Sequence, residues 1–190
     1  PLLERLVRRI SFALLANLGA LRAALGLVRW TGPLRSLVRR LGLLRLLRLE
    51  RAEALLPPLS GPFLVPRGQV WPALGAEKGR VALFAGCIMS AIFAEVDRAT
   101  ARVLRASGWT VVVPPGQGCC GALHGHEGHW AAAQELARRT VEAFEQVEAE
   151  AVIVNAAGCG SMLKAYDAVL ADDPTYAARA ATFAARVRDV

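Results

Sequence analysis

The stretch WTVVVPPGQGCCG, residues 109–121, joins an apolar, β-branched run to two adjacent cysteines that lie between glycines. Two other stretches have the same order. RVALFAGC at residues 80–87 and AVIVNAAGC at residues 151–159 each place one cysteine a few residues after an apolar run. Short β-branched runs bounded by glycine and proline are typical of buried strands. The three stretches therefore predict three strands, each followed by a loop that carries thiols.

Helical sequence follows each of the predicted strands. We predict helices over residues 91–107, 128–149 and 161–170, and a last alanine-rich helix that begins near Pro174 and continues to Val190. Strands that alternate with helices favour right-handed crossovers and a parallel sheet covered on both faces. The sequence thus predicts an α/β fold, a three-layer domain with a short parallel sheet built from βα units.

Two segments of different composition precede this domain. Residues 1–56 repeat leucine and arginine at helical spacing, which predicts an amphipathic helical arm of two or three helices with a break at Gly32-Pro33. Residues 57–79 contain five prolines and several glycines, which predicts a linker without regular structure. The cysteine-rich α/β domain is predicted over residues 80–190, and we expect it to be truncated at its C-terminus.

Positive charge is concentrated in the first part of the chain. The net charge is +7, but residues 1–80 hold 14 Lys/Arg against 4 Asp/Glu, whereas residues 81–190 hold 9 against 12. An arginine-rich segment of this kind suits an anionic lipid surface, an acidic protein face or nucleic acid. Few aromatic residues are interleaved with these arginines, so we expect no nucleic-acid partner.

The arm has no uncharged stretch long enough to predict a membrane-spanning helix. Its longest uncharged stretch, residues 10–21, has 12 residues, whereas a spanning helix needs about 20. Two interpretations of the arm stay open. Its apolar face packs on a neighbouring domain, which we favour, or it lies on a membrane surface with its arginines toward the headgroups.

All four cysteines are expected at one edge of the sheet. The C-terminal ends of parallel strands lie together, and each of these residues follows a predicted strand by two to seven positions: Cys87, Cys119, Cys120 and Cys159. Four thiolates suit either an iron–sulfur cluster or tetrahedral zinc. Helix starts near Cys87 and Cys159 predict lowered pKa values for these two thiols. The alternatives are buried apolar side chains, or a vicinal disulfide that serves thiol exchange.

The three histidines of the chain follow the cysteine pair in the stretch LHGHEGHW, residues 123–130. Imidazole binds zinc and ligates some iron–sulfur centres. His124, His126 and His129 are therefore candidate ligands or hydrogen-bond donors to the site, and His126 is the additional candidate for metal binding. The alternative is a polar loop at the start of a helix.

Three polar residues near Cys159 have ordinary explanations. Asn155 directly follows a predicted strand, and we expect it to turn the loop there. Lys164 and Tyr166 lie on the predicted helix after Cys159, where a solvated helix surface is a more common position than the wall of a site.

Three motifs in this region resemble a known family. They are GCIMS, PPGQGCCGALHGH and NAAGCGSMLKAY, which begin at residues 86, 114 and 155. They resemble the cysteine-rich CCG domain of the iron–sulfur subunit of glycolate oxidase. The same domain type occurs in heterodisulfide reductase, in the anaerobic glycerol-3-phosphate dehydrogenase and in lactate-utilisation proteins. The linker and the arm resemble, more loosely, the connector that follows the ferredoxin-like domain in that family.

The resemblance implies part of an electron-transfer subunit of a flavin-dependent glycolate or 2-hydroxy-acid dehydrogenase. Such a subunit relays electrons from the flavin of a partner subunit toward quinone, and the chain alone is not expected to be catalytic. The implied cofactor is a 4Fe-4S cluster held by Cys87, Cys119, Cys120 and Cys159, with flavin only on the partner. The implied location is cytoplasmic, with peripheral association to the inner face of the plasma membrane through residues 1–56.

The chain departs from the family pattern at Ala156, which stands where the broader motif has the first cysteine of a C-x-x-C. This departure removes one thiolate and speaks against a five-cysteine cluster of the heterodisulfide reductase type. The resemblance also implies a ferredoxin-like domain before Pro1 and a second CCG repeat after Val190. The alternative functions are a structural zinc-binding module for complex assembly, and an interaction protein in which the arm binds the partner.

Overall fold

The computed structural model describes residues 2–31, 38, 41–42 and 61–190. The predicted helix break at Gly32-Pro33 and the first residues of the predicted linker lie outside the described residues. Within residues 2–31 and 61–190 the chain forms nine helices and five strands. The helices are α1 (Leu2–Ala16), α2 (Leu18–Trp30), α3 (Ile88–Ala91), α4 (Ala94–Ala106), α5 (Ala122–His126), α6 (Trp130–Glu145), α7 (Ala157–Lys164), α8 (Tyr166–Val169) and α9 (Ala177–Ala185). The strands are β1 (Gln69–Trp71), β2 (Gly79–Leu83), β3 (Trp109–Val113), β4 (Ala151–Val154) and β5 (Val187–Asp189).

The five strands form one sheet in the order β1-β3-β2-β4-β5. Strands β2, β3, β4 and β5 are parallel, and β1 is antiparallel to β3. At the centre of the sheet, Val81 of β2 lies opposite Val111 of β3 and Ala151 of β4. The chain is thus mixed α/β with a mostly parallel sheet, as predicted. The apolar runs predict strands over residues 80–85, 109–113 and 151–154; β3 and β4 have these bounds, and β2 begins one residue and ends two residues earlier.

Strand β1 corrects the prediction that residues 57–79 lack regular structure. Gln69 pairs with Val113 and Trp71 with Val111. Prolines exclude a central strand because they lack an N–H donor, but they are tolerated beside an edge strand. Pro66 and Pro72 flank β1 without interrupting it.

The predicted last helix is also wrong in its final part. Helix α9 ends at Ala185, and β5 then pairs Val187 with Val152. The Val187 side chain is 1% exposed, whereas its neighbours Arg186 and Arg188 are not buried. This alternation of buried and exposed residues is the pattern of an edge strand rather than of a helix.

Two clusters of buried side chains cover the two faces of the sheet. Alternate residues of each strand point to opposite faces, so Phe84 packs with Phe144 and Phe183 from α6 and α9 on one face. On the other face, Leu83 packs with Ala101 of α4. The predicted three-layer arrangement is confirmed.

The described part of the arm packs on the α/β domain through α2. Asn17 caps α2, because its Oδ1 accepts a hydrogen bond from the backbone N–H of Ala20 at 3.1 Å. Leu21 of α2 is 8% exposed and belongs to a cluster that includes Cys87 and Cys119. Arg22 donates hydrogen bonds to the backbone carbonyl of Leu64 and to Ser90 Oγ. The arm therefore covers one side of the region that carries the cysteines.

No single helix among the described residues is long and apolar enough to cross a membrane. Residues 5–16 and 18–30 are long and apolar enough only when they are taken together, and the chain bends by 112° between these two helices.

Candidate metal centre

The structure brings the four cysteines to one pocket at the C-terminal edge of the sheet. Cys87 is the N-cap of α3 behind β2, and the adjacent pair Cys119 and Cys120 precedes α5. Cys159 lies in the first turn of α7, two residues into that helix rather than ahead of it. All four are free thiols, so the structure gives no support to a vicinal disulfide.

The pocket has a volume of about 350 Å³. Its wall is apolar apart from the thiols and one imidazole. The lining residues are Cys87, Ile88, Met89, Cys119, Cys120, Ala122, Leu123, His126, Ala156, Gly158 and Cys159. A wall of this kind solvates thiolates poorly, and a bound cation would compensate for their charge.

The loop that carries the cysteine pair is fixed to β2 by Gln117, whose role the sequence did not predict. Its Oε1 accepts a hydrogen bond from the backbone N–H of Ala85 at 2.8 Å. Its Nε2 donates to the carbonyls of Leu83 at 3.2 Å and Pro114 at 3.0 Å. Gln117 is 5% exposed, so these hydrogen bonds hold the loop in a dry environment. The only signal in the sequence is a polar residue between the two glycines of a tight loop.

Gly121 ends the same loop with a φ of 86°, in the left-handed region that favours glycine. A Cβ at this position would lie 3.1 Å from the backbone oxygen of Ala133 in α6. Gly121 therefore allows the cysteine pair to lie close to α6, and its backbone N–H approaches Cys119 Sγ at 3.5 Å.

The four thiols are joined by short contacts, from Cys87 through Cys119 and Cys120 to Cys159. Cys87 Sγ lies 3.6 Å from Cys119 Sγ, and Cys120 Sγ lies 3.2 Å from Cys159 Sγ. Hydrogen bonds from the thiols of Cys120 and Cys87 lower the pKa of Cys119 to about 3, and a hydrogen bond from Cys120 lowers the pKa of Cys159. Cys119 and Cys159 are thus the two thiols whose pKa the neighbouring thiols lower.

The pKa of Cys87 changes in the opposite direction to the one predicted from its position at a helix start. Its hydrogen bond to Cys119 and its burial raise the pKa, and they outweigh the contact with the Ile88 backbone that lowers it. The pKa of Cys120 is also raised, because Cys120 donates to Cys119 and Cys159 and is buried. The prediction for Cys159 agrees in direction, although its main cause is the hydrogen bond from Cys120 rather than the helix.

The donor set fits a thiolate-bound metal centre by its chemistry. Four thiols on one pocket are the ligands that iron–sulfur clusters and structural zinc use. In the described residues, however, no group of three or more histidine, cysteine, aspartate or glutamate side chains is arranged to hold a single metal ion. Ligation by these four cysteines therefore stays a prediction.

The three histidines divide between two pockets. His126 lines the thiol pocket. His124 and His129 line a different pocket, against the ring of Phe12 in α1. Among the histidines, His126 is thus the one placed to contact a group that the thiols hold. Ala156 lines the thiol pocket as well, so the position of the missing family cysteine is on the wall of the site.

The expectation that Tyr166 lies on a solvated helix surface is wrong. Its side chain is 0% exposed, and its hydroxyl donates a hydrogen bond to the backbone carbonyl of Cys120 at 2.8 Å. Helical spacing could have indicated this, because Cys159, Leu163 and Tyr166 follow each other at steps of four and three residues. Lys164 agrees with the expectation, since it is exposed and forms an ion pair with Asp189.

Asn155 ties β4 to α4 instead of only turning a loop. Its Nδ2 donates to Asp97 Oδ1 at 2.9 Å and to Thr100 Oγ1 at 3.1 Å. Asp97 is 0% exposed, and burial raises its pKa to about 7 against the opposing effects of Asn155 and Arg98. A charged residue in a first helical turn is usually solvated, so nothing in the sequence distinguished Asp97.

Comparison with known proteins gives a match within the predicted α/β domain. Residues 81–164 match the family model described as a cysteine-rich domain, CCG. The chain is 40% identical over 193 aligned residues, 98% of its length, to the probable glycolate oxidase iron-sulfur subunit of Bacillus subtilis. It spans 43% of the length of that relative.

Two other relatives match about half of the chain. An uncharacterized iron-sulfur protein of Methanocaldococcus jannaschii is 37% identical over 103 residues, which are 54% of this chain and 21% of that protein. Lactate utilization protein A of an Exiguobacterium species is 33% identical over 106 residues, which are 56% of this chain and 43% of that protein. No solved structure gives a significant match. Together with the pocket of four thiols, these matches lead to the conclusion that residues 81–164 are a cysteine-rich domain of the CCG family.

Proposed function

We propose that this chain is part of an iron–sulfur subunit that transfers electrons within a flavin-dependent glycolate or 2-hydroxy-acid dehydrogenase. The observation that carries the proposal is the convergence of four free thiols on one pocket. The relatives support an iron–sulfur electron-transfer role, because one is named an iron–sulfur subunit of glycolate oxidase and another a lactate utilization protein. The chain spans less than half of either protein, so the activity of the whole complex is part of the proposal.

The proposed cofactor is a 4Fe-4S cluster with Cys87, Cys119, Cys120 and Cys159 as its ligands. The cluster would supply one-electron redox chemistry. The chain supplies the thiolates, an apolar wall that excludes water, and the backbone N–H of Gly121 near Cys119 Sγ. His126 is the proposed additional ligand, because it lines the same pocket as the four thiols. Ala156 also lines this pocket, at the position where the wider family has a fifth cysteine.

The proposed partner is a flavin-containing dehydrogenase subunit that abstracts hydride from the substrate. Electrons would pass from that flavin through this subunit toward quinone, and flavin would be bound only by the partner. We also propose a cytoplasmic location, with peripheral association to the inner face of the plasma membrane through residues 1–56. The exposed Leu6, Val7 and Ile10 of α1 are consistent with contact to a partner or a lipid surface.

Anaerobic reconstitution of the full chain with iron and sulfide tests the proposal. We expect charge-transfer absorbance in the visible range and a paramagnetic signal in one redox state. Substitution of Cys120 by serine should lower the iron content, whereas Ser107→Ala, at an exposed hydroxyl that does not line the pocket, should not. No absorbance and no signal in either redox state would contradict the iron–sulfur assignment.

A structural zinc module is the second candidate. The observation in its favour is the donor set, because four cysteine thiols on one pocket are also the ligands of structural zinc. Stoichiometric zinc with no iron in the anaerobically isolated chain would favour this candidate.

A further inference from the structure

A second pocket lies between α1 and the residues that lead into α6. It has a volume of about 560 Å³. Apart from three alanines, its lining residues are basic or aromatic: Arg5, Arg8, Arg9, Phe12, His124 and His129. No carboxylate is among the lining residues in the part of the chain that the structure describes. The pocket is therefore strongly basic, and neither the thiol site nor the sheet accounts for its composition.

The arginines reach the pocket because of their spacing on α1. Residues three or four positions apart share one face of a helix, and Arg5, Arg9, Phe12 and Ala16 follow this spacing. Arg8 borders the same face and forms an exposed ion pair with Glu127 at 3.5 Å. The guanidinium groups of Arg5 and Arg9 thus supply the main positive charge of the pocket.

The imidazole of His124 provides a second, independent observation. His124 is 4% exposed, and its ring centroid lies 4.9 Å from that of Phe12. Its Nδ1 is buried and has no hydrogen-bond partner among the described residues. A buried polar atom without a partner is unfavourable for the folded state. The buried ring of His124 forms part of the wall of this pocket, beside the arginines and Phe12.

We propose that this pocket binds a phosphate group. Guanidinium presents paired N–H donors that match the oxygens of phosphate, and several guanidinium groups favour a doubly charged anion over a single carboxylate. The apolar surface of Phe12, Ala13 and Ala16 beside these donors suits a phosphate ester as well as free phosphate. The same chemistry is available from two sources, a small phosphate compound and the phosphate of a lipid headgroup.

The proposal goes beyond the function inferred from the thiols and does not depend on a bound metal. His126 lines the thiol pocket, whereas His124 and His129 line the basic pocket. The imidazole resonances of these three histidines, the only ones in the chain, therefore report on two separate sites. Titration of the full chain with inorganic phosphate at constant pH and ionic strength should shift the resonances of His124 and His129 saturably. The resonances of His126 should not move.

Two double variants test whether the arginines are responsible. Arg5→Gln with Arg9→Gln removes two charges from the pocket, and we expect phosphate affinity to fall at least tenfold. Arg80→Gln with Arg102→Gln removes two exposed charges elsewhere, and the affinity should change less than twofold. An unchanged His126 spectrum and helical circular dichroism would confirm that each variant is folded.

Sedimentation with vesicles distinguishes the two sources. Vesicles that contain phosphatidylglycerol are compared with vesicles of phosphatidylcholine alone. Binding to phosphatidylglycerol vesicles that falls at least tenfold in the pocket variant, without a response to inorganic phosphate, would assign the site to lipid. No response to either probe would overturn the proposal. It would also be overturned by equal losses in the two double variants, or by shifts of His126 in parallel with His124.

Discussion

The phenol of Tyr166 and the backbone of Cys120 are joined by a hydrogen bond of 2.8 Å between the hydroxyl and the Cys120 carbonyl. Tyr166 is completely buried and Cys120 is 3% exposed, so this hydrogen bond lies in a dry environment. The bond connects the cysteine pair to the helical layer that covers one face of the sheet. The position of the thiol loop thus depends on the core beneath it.

We expect Tyr166→Phe to destabilise the chain by about 1–3 kcal/mol, because the Cys120 carbonyl loses its donor in a dry environment. Tyr176→Phe is the matched control. Its phenol bonds to Glu142 at an exposed position, and its loss should cost less than about 0.5 kcal/mol. Urea unfolding of both variants measures the difference. Equal effects would show that the Tyr166 hydrogen bond does not stabilise the loop.

Gln117→Met should destabilise the chain by about 3 kcal/mol, since it removes three hydrogen bonds to the backbone of Leu83, Ala85 and Pro114 at nearly constant volume. Metal binding should weaken as well, because the cysteine loop is no longer fixed to β2. Gln146→Met, at the exposed end of α6, is the control and should be close to neutral. Chemical denaturation and metal content are the measurements. Normal stability of Gln117→Met would contradict the role assigned to this side chain.

The stability of the chain should depend on pH through Asp97. Burial raises its pKa from 3.8 to about 7, so the folded state binds this proton more tightly than the unfolded state. Protonated Asp97 therefore contributes roughly 4 kcal/mol to the free energy of unfolding. This contribution is complete below about pH 4 and is lost as the pH rises through about 7. Two charged or titratable groups interact with Asp97. The positive charge of Arg98 lowers the pKa of Asp97 and so opposes the effect of burial. The Asp97 carboxylate in turn raises the pKa of Cys159.

Asp97→Asn tests this dependence, since the amide keeps an oxygen that accepts from Asn155. Between pH 5 and 8, the free energy of unfolding should fall less in this variant than in the wild type. Asp172→Asn, an exposed carboxylate, should retain the wild-type pH dependence. Identical pH profiles for the wild type and Asp97→Asn would exclude Asp97 as the titrating group.

Ala156→Cys should supply a fifth thiol to the metal pocket, because Ala156 lies on its wall. We expect the electron paramagnetic resonance spectrum of the reconstituted variant to differ from that of the wild type. Ala157→Cys adds the same group one position away, on a residue that does not line the pocket, and should leave the spectrum unchanged. Identical spectra for all three proteins would place residue 156 out of reach of the metal.

The central strands and the meeting of the cysteines could be predicted from the sequence because they follow from short-range patterns. The apolar runs that become β2, β3 and β4 are bounded by glycine or proline, and parallel strands end at a common edge. The edge strands β1 and β5 could not be predicted in this way. Each has three residues and is stabilised by pairing with a strand distant in sequence.

The polar residues that fix the site were also missed, for a related reason. Gln117, Tyr166 and Asp97 act through partners 32 to 58 residues away in the chain. Their local sequence gives no sign of burial, and their roles depend on how the layers pack. The division of the histidines between two pockets has the same origin, because it requires the position of α1.

Metal analysis of the full chain, isolated without oxygen, decides whether the four thiols hold an iron–sulfur cluster. We predict about four iron and four sulfide per chain, with little zinc, and loss of both iron and sulfide when Cys119 is replaced by serine. One zinc per chain, with neither iron nor acid-labile sulfide, would contradict the proposed electron-transfer role.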